Sequence, residues 1–226
     1  MTLPAPPVRH KLQACTSRFL HQLKRTQSYV DVVLPALKAE SEDDDNLQYC
    51  LQTLVLMLHT FLEEHYRWLV SLASFWQTED VRRHLMSRHL MSSPDKARSF
   101  EEMPAAQLCR VAAREVSSFK DNAKKLRAIF KVLFQCGPFA DDWADSKCRD
   151  LVAVRNIITH QGGMAEESNL PAVKSPDVIV TSSVIGSATF YRLRISRAFM
   201  MDVLTALGRS VQAIDTSLKQ DPRYRL

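Results

Sequence analysis

Residues 47–76, LQYCLQTLVLMLHTFLEEHYRWLVSLASFW, decide the fold class of this chain. Their apolar side chains recur every three or four residues, at Leu51, Leu54, Leu58, Phe61, Leu62, Leu69 and Leu72. That spacing predicts one long amphipathic helix. Charged and imidazole side chains interrupt the run at His59, Glu63, Glu64, His65 and Arg67. The segment is therefore not expected to span a membrane, and no membrane partner is predicted.

The stretches on either side repeat this helical spacing. We predict further helices over 8–33, 105–133 (bent near 117–118), 143–159 and 196–220, with short helical turns and a loop over 77–100. Residues 177–183 and 189–195 are instead rich in Val, Ile, Phe and Tyr and flank a turn-like sequence, which predicts a β-hairpin. The predicted fold class is all-α, a helical bundle with a small β-hairpin inserted before its last helix.

No linker-like segment divides the 226 residues, so we expect a single domain over 1–226. In chain order it comprises a helical extension (1–45), a core (47–163), the hairpin (177–195) and a closing helix (196–220).

Composition narrows the class of protein. The five cysteines lie far apart and form no CxxC pair, which argues against a disulfide framework and a cysteine zinc site. The N-terminal sequence lacks the apolar region of a secretory signal, so we expect a cytoplasmic protein. The formal net charge of +5 weakly favours a polyanionic partner. The sequence contains no phosphate-binding loop, dinucleotide-binding turn, hydrolase elbow or HExxH pair.

The segment 151–163, LVAVRNIITHQGG, carries the most informative chemistry. Its apolar residues predict a helix anchored in the core, and its glycines predict where that helix ends. Arg155 and His160 lie off the apolar stripe. Arginine fits phosphate oxygens with a planar cation, and histidine transfers protons near neutral pH. On an ideal helix the two side chains point about 140° apart, so they converge only if the last turn distorts or a second copy of the chain takes part.

This segment resembles the R-x(4–6)-H motif of the HEPN superfamily of ribonucleases, in its RN-xxx-H form. Residues 59–70 and 127–137 also resemble helices of its RiboL-PSP-like branch. The resemblance implies a HEPN-like helical bundle, in which Arg155 and His160 are catalytic and Asn156 is the polar residue that follows the arginine. HEPN toxins carry a tyrosine two residues after the histidine, where this chain has Gly162.

For function, the resemblance implies a metal-independent endoribonuclease. In that family two protomers form a composite site at a homodimer interface, and no cofactor or metal takes part. The 2′-hydroxyl of RNA attacks the phosphate, so the products carry a 2′,3′-cyclic phosphate and a 5′-hydroxyl. The family setting is toxin–antitoxin or anti-phage defence, which implies RNA as substrate and a cognate antitoxin or defence-system protein as a further partner.

Residues of the long helix are further candidates. The resemblance makes Glu64, at the border of the apolar stripe, an accessory acid. His65 projects into the stripe and is predicted to be a buried, hydrogen-bonded core histidine. Because His59, Glu63 and His65 do not share one helix face, no metal site is predicted.

Two sets of basic residues are candidate RNA contacts. The first recurs at helical spacing and forms one stripe, the basic stripe, of Lys120, Lys124, Arg127 and Lys131. In the second, Arg192 and Arg194 share a hairpin face with Phe190, which favours phosphate binding and base stacking. For both sets, a solvated surface is the alternative interpretation.

Two other functions remain open on the sequence alone. One is a catalytically inactive HEPN-like module that binds RNA or another protein through the basic stripe. The other is a purely structural module for dimerisation or antitoxin binding, which predicts no affinity for RNA.

Overall fold

The computed structural model describes residues 8–36, 44–116, 123–165, 167, 173–185 and 188–224. Its helices are α1 (Val8–Ser28), α2 (Leu34–Ala36), α3 (Asp45–Trp76), α4 (Thr78–His89), α5 (Pro94–Ser99), α6 (Ala105–Val116), α7 (Ala123–Phe134), α8 (Asp142–Gln161) and α9 (Arg197–Gln220). Its strands are β1 (Met164–Ala165), β2 (Val178–Ile185) and β3 (Ala188–Ile195). A π-helical turn, Tyr29–Val33, joins α1 to α2, and a 3-10 turn, Pro222–Tyr224, follows α9. Lys120 and the bend predicted near 117–118 lie outside the described residues.

The all-α class and the hairpin before the last helix are confirmed. Strands β2 and β3 pair antiparallel, from Val178 opposite Ile195 to Ile185 opposite Ala188. The unpredicted two-residue strand β1 pairs with the other edge of β3, which gives the sheet order β1-β3-β2. Two residues are too few to show strand periodicity, so the sequence carried no signal for β1.

Helix α4 is longer than the short turns predicted for this region. Few apolar residues mark it, since only Val81 and Leu85 are buried within it. Its charges instead complement the helix dipole, with Glu79 and Asp80 in the first turn and basic residues in the last.

Contacts divide the chain into two compact units. The first unit comprises the described parts of 1–19, 63–138 and 211–226, and the second comprises those of 20–62 and 139–210. The assignment of the chain to one domain stays a prediction.

The first unit packs around aromatic side chains. The ring of Phe130 lies 4.9 Å from that of Tyr66 and 5.1 Å from that of Phe134, centroid to centroid. The Arg223 guanidinium donates to the carbonyl oxygens of Val132 (3.0 Å) and Leu133 (3.1 Å), at the end of α7. Those carbonyls lack partners within their own helix, so Arg223 caps α7 and ties the C-terminal segment to it.

The second unit joins the sheet to α3, α8 and α9. The Gln48 side chain donates to the Ile195 carbonyl (3.0 Å) and accepts from the Ile195 amide (2.8 Å), so it pairs with β3 as a strand peptide would. The Lys147 ammonium of α8 lies 2.6 Å from the Asp202 carboxylate of α9 and 3.7 Å from that of Asp177. These bonds hold the hairpin and α8 in place.

Within the described ranges, every helix is too short or too polar to cross a membrane.

Candidate functional site

Helix α8 presents Arg155, Asn156 and His160 from a rigid frame. Its first turn is capped by Asp141, whose carboxylate accepts from the Ala144 amide at 2.8 Å. The face that anchors the helix is fully or nearly buried, at Ala144, Cys148, Leu151, Val154 and Ile157. The predicted anchoring in a core is therefore confirmed, except that Ile157 is buried where the sequence pattern indicated Ile158, which is half-buried. Arg155, Asn156 and His160 lie outside that buried face.

The glycine end of α8 forms as the sequence predicts. Gly162 adopts a left-handed conformation (φ 59°), which costs glycine little. The amides of Gly162 and Gly163 donate to the carbonyls of Ile158 (3.1 Å) and Ile157 (3.3 Å). The Gly163 carbonyl in turn accepts from the Leu193 amide of β3 at 3.0 Å. The end of the helix is thus fixed to the sheet.

Arg155 is half-buried, and its neighbour Asn156 orients it. The Arg155 Nη1 donates to Asn156 Oδ1 at 2.9 Å. Among the described residues, no carboxylate forms an ion pair with this guanidinium. A half-buried cation that lacks a counter-ion is available to an anion from outside.

His160 is exposed in the last turn of α8, and its ring has no hydrogen-bond partner among the residues that the structure describes. The helix stays regular through Gln161, so the distortion that would bring His160 toward Arg155 does not occur. On a regular helix the two side chains project about 140° apart. One copy of α8 therefore presents an arginine face and a separate histidine face.

His59 of α3 lies within electrostatic range of Arg155. His59 is 7% exposed. Burial, as the larger cause, and the nearby positive charge of Arg155 together lower the pKa of its imidazole to about 4. His59 is therefore neutral at neutral pH and close enough to sense the Arg155 charge. The sequence pattern indicated neither its burial nor which helix it faces.

Glu64 lies exposed on α3 and belongs to the first unit, whereas Arg155, Asn156 and His160 belong to the second. Its role as an accessory acid stays a prediction. His65 is buried and contacts Cys15 (Nδ1 to Sγ 3.5 Å), as a hydrogen-bonded core histidine should. Burial lowers the pKa of His65 to about 3.

The described part of the basic stripe lies on α7. Lys124, Arg127 and Lys131 are all exposed there. Residues 104–134 contain seven Lys and Arg against two Asp and Glu, an excess of five that equals the formal net charge of the entire chain. The rest of the chain is formally neutral, so the positive charge is concentrated in the α6–α7 segment.

The two hairpin arginines have a structural partner. Arg192 Nη2 lies 2.8 Å and Arg194 Nη1 lies 3.6 Å from Oδ1 of Asp45, at the start of α3. The opposite face of β3 is buried at Leu193 and Ile195. The Asp45 carboxylate offsets part of the positive charge of Arg192 and Arg194. RNA binding at these two arginines stays a prediction.

No three His, Cys, Asp or Glu side chains of the described ranges come together as a metal ion would require. A comparison of the chain with protein-family models, with curated proteins and with solved structures found no match in any of the three.

Proposed function

We propose that this protein is a metal-independent endoribonuclease that acts as a homodimer, with Arg155 and His160 as its catalytic residues. The observation that supports this most is the surroundings of Arg155, whose half-buried guanidinium is oriented by Asn156 and has no carboxylate partner within the described ranges. The diester of RNA is an anion that a guanidinium fits with two parallel hydrogen bonds.

In the proposed reaction, a histidine takes the proton of the RNA 2′-hydroxyl, and the 2′-oxygen attacks the adjacent phosphorus. The bond from phosphorus to the 5′-oxygen breaks, and a second histidine donates a proton to that oxygen. Arg155 stabilises the negative charge that develops on the non-bridging oxygens. The products carry a 2′,3′-cyclic phosphate and a 5′-hydroxyl.

The regular end of α8 supports a composite site. Because Arg155 and His160 project from different faces of one helix, a single copy does not direct both at one phosphate. Two copies related by a two-fold axis supply both arginines and both histidines around one scissile bond. The two copies of His160 then serve as base and acid.

The direct test incubates the purified protein with single-stranded RNA and transfer RNA in excess EDTA. We expect wild type to leave cyclic phosphate ends, and Arg155→Ala or His160→Ala to lower the cleavage rate at least about 100-fold without loss of folding. The matched controls are Arg149→Ala, an exposed arginine of α8, and His21→Ala, an exposed histidine of α1, which should cleave as wild type does. Wild-type cleavage by either site variant would refute the assignment.

Subunit mixing tests the composite site. After exchange between equal amounts of wild type and His160→Ala, a site that needs both copies retains roughly a quarter of the wild-type rate, because only that share of dimers is wild type in both chains. Sites complete within one chain would retain about half. The second result would leave the nuclease intact and overturn its dimeric site.

A catalytically inactive RNA-binding module is the second candidate function, favoured by the charge concentrated in 104–134. It predicts no cleavage, with RNA binding that weakens steeply with salt and survives His160→Ala. Under this function, Lys124→Gln with Lys131→Gln would weaken binding to any RNA sequence. If the protein is instead a purely structural module, neither wild type nor the double lysine variant should bind RNA.

A further inference from the structure

A groove of about 550 Å³ lies in the second unit between α1, with its π-helical turn, and α3. On the α1 side it is lined by Gln22, Arg25, Thr26 and Tyr29, which share one helix face because they are three or four residues apart. The volume is within the range of small-molecule sites, roughly 300–1,000 Å³. None of the lining residues belongs to the Arg155–His160 site, so the groove is independent of the proposed nuclease.

The wall on the α3 side is mainly apolar. Leu54, Met57 and Phe61 line it, together with Tyr49, whose side chain is 73% exposed. Met57 is 38% exposed. This surface lowers its free energy when an apolar body covers it.

The two threonine hydroxyls in the groove already donate within the protein. Thr26 Oγ1 donates to the Gln22 carbonyl (3.0 Å), and Thr53 Oγ1 donates to the Tyr49 carbonyl (2.9 Å). These two hydroxyls are therefore already used and are not available as donors to a ligand.

One cation lies at the edge of this apolar surface. Arg25 is exposed, and no carboxylate of the described ranges forms an ion pair with it. The groove thus offers one charged donor beside an apolar wall, with the Gln22 amide as a neutral polar neighbour. The complementary ligand has one anionic group and an apolar body.

The backbone beside the groove is irregular. The π-helical turn Tyr29–Val33 interrupts the helical segment where Tyr29 lines the groove. Such insertions are rare in helices and occur frequently at functional sites. This observation is independent of the groove's volume and charge.

We propose that the α1–α3 groove binds a small amphipathic monocarboxylate. Its carboxylate pairs with Arg25, and its hydrocarbon part lies against Leu54, Met57 and Phe61.

The test uses anilinonaphthalene sulfonate, an aromatic anion that fluoresces in apolar sites, and displaces it with octanoate or with the neutral analogue octanol. Arg25→Gln should weaken the binding of octanoate about fivefold and change the affinity for octanol by less than about twofold. Lys24→Gln, which removes the same charge from the neighbouring exposed position outside the groove, should leave both unchanged.

A matched pair of threonines tests the location. Thr53 and Thr60 are both exposed on α3, and each donates to the carbonyl four residues earlier at 2.9 Å, but only Thr53 lines the groove. Thr53→Trp fills the groove and should weaken the binding of octanoate and octanol at least about tenfold. Thr60→Trp should bind both ligands as wild type does.

Three results would overturn the proposal. The first is that octanoate at about 1 mM does not displace anilinonaphthalene sulfonate. The second is that Arg25→Gln and Lys24→Gln weaken octanoate binding equally, and the third is that the two tryptophan variants weaken it equally. The proposal would also be overturned if wild type is a dimer, Thr53→Trp is a monomer and Thr60→Trp is still a dimer. A second copy of the chain would then occupy the groove.

Discussion

Helix α3 carries two buried histidines, His59 and His65, whose surroundings give them different roles. Both are nearly inaccessible, at 7% and 5% exposure. His65 stacks on the Phe19 ring at 4.4 Å between centroids and contacts the Cys15 thiol. His59 instead senses the charge of Arg155, which we place at the catalytic site.

The pKa values of the two histidines show that burial outweighs the nearby charge. Burial alone lowers the pKa of His65 to about 3, whereas burial and the charge of Arg155 together lower that of His59 to about 4. A depressed pKa therefore does not distinguish the two histidines. The neighbouring charge does, because Arg155 acts on His59.

The protonation states of Cys15 and His65 also indicate a structural role for their contact. Burial raises the pKa of the Cys15 thiol to about 11, although the charge of Arg18 opposes this. At neutral pH the pair is a neutral thiol beside a neutral imidazole. A cysteine nucleophile needs a thiolate, so this pair is not suited to nucleophilic catalysis.

Truncation of His65 should give the largest stability effect of the comparison. His65→Ala removes the stack on Phe19 and leaves a cavity, so we expect the free energy of unfolding to fall by about 2–4 kcal/mol in urea denaturation. The control is His21→Ala on exposed α1 surface, with a change within about 0.5 kcal/mol. A loss below about 1 kcal/mol for His65→Ala would contradict its role in the core.

Acid should destabilise the protein through His65. Because its pKa of about 3 in the folded state lies below the ordinary value of 6.5, the unfolded chain binds more protons between these values. The free energy of unfolding is then highest above pH 6.5 and falls as the pH is lowered toward 3. Between pH 7 and pH 4, the free energy of unfolding should fall less for His65→Leu than for wild type, by about 1–3 kcal/mol.

Other acid-sensitive groups, His59 included, are present in both proteins of that experiment and cancel in the difference. Parallel unfolding curves across the pH series would mean that His65 titrates normally and is not buried in the folded protein.

The sequence predicted those parts of the molecule that local pattern determines. The apolar repeat of 47–76 predicted α3, the Val- and Ile-rich runs predicted the hairpin, and the glycines after His160 predicted the cap at Gly162. Each follows from periodicity or from one residue's backbone preference. The burial of His65 follows from its position in the apolar stripe of α3.

The parts that it did not predict depend on which faces meet. Periodicity does not place His59 in the apolar stripe of α3, and only packing buries it and decides that Arg155 lies near it. The groove beside Arg25 likewise needs two helices that are distant in sequence, and the π-helical turn has no sequence signature. The motif residues of α8 were found because they lie within one helical segment.

The smallest expected effect is that of the Arg155 charge on the pKa of His59. Arg155→Gln removes a positive charge, so we expect the pKa of His59 to rise from about 4, by less than about one unit, because burial remains its larger cause. Imidazole signals in an NMR titration measure this value. Arg149→Gln removes a charge from the same helix that already pairs with Asp145, and should leave the pKa of His59 unchanged. An unchanged pKa in Arg155→Gln would mean that His59, like His65, is a core histidine and does not belong to the site.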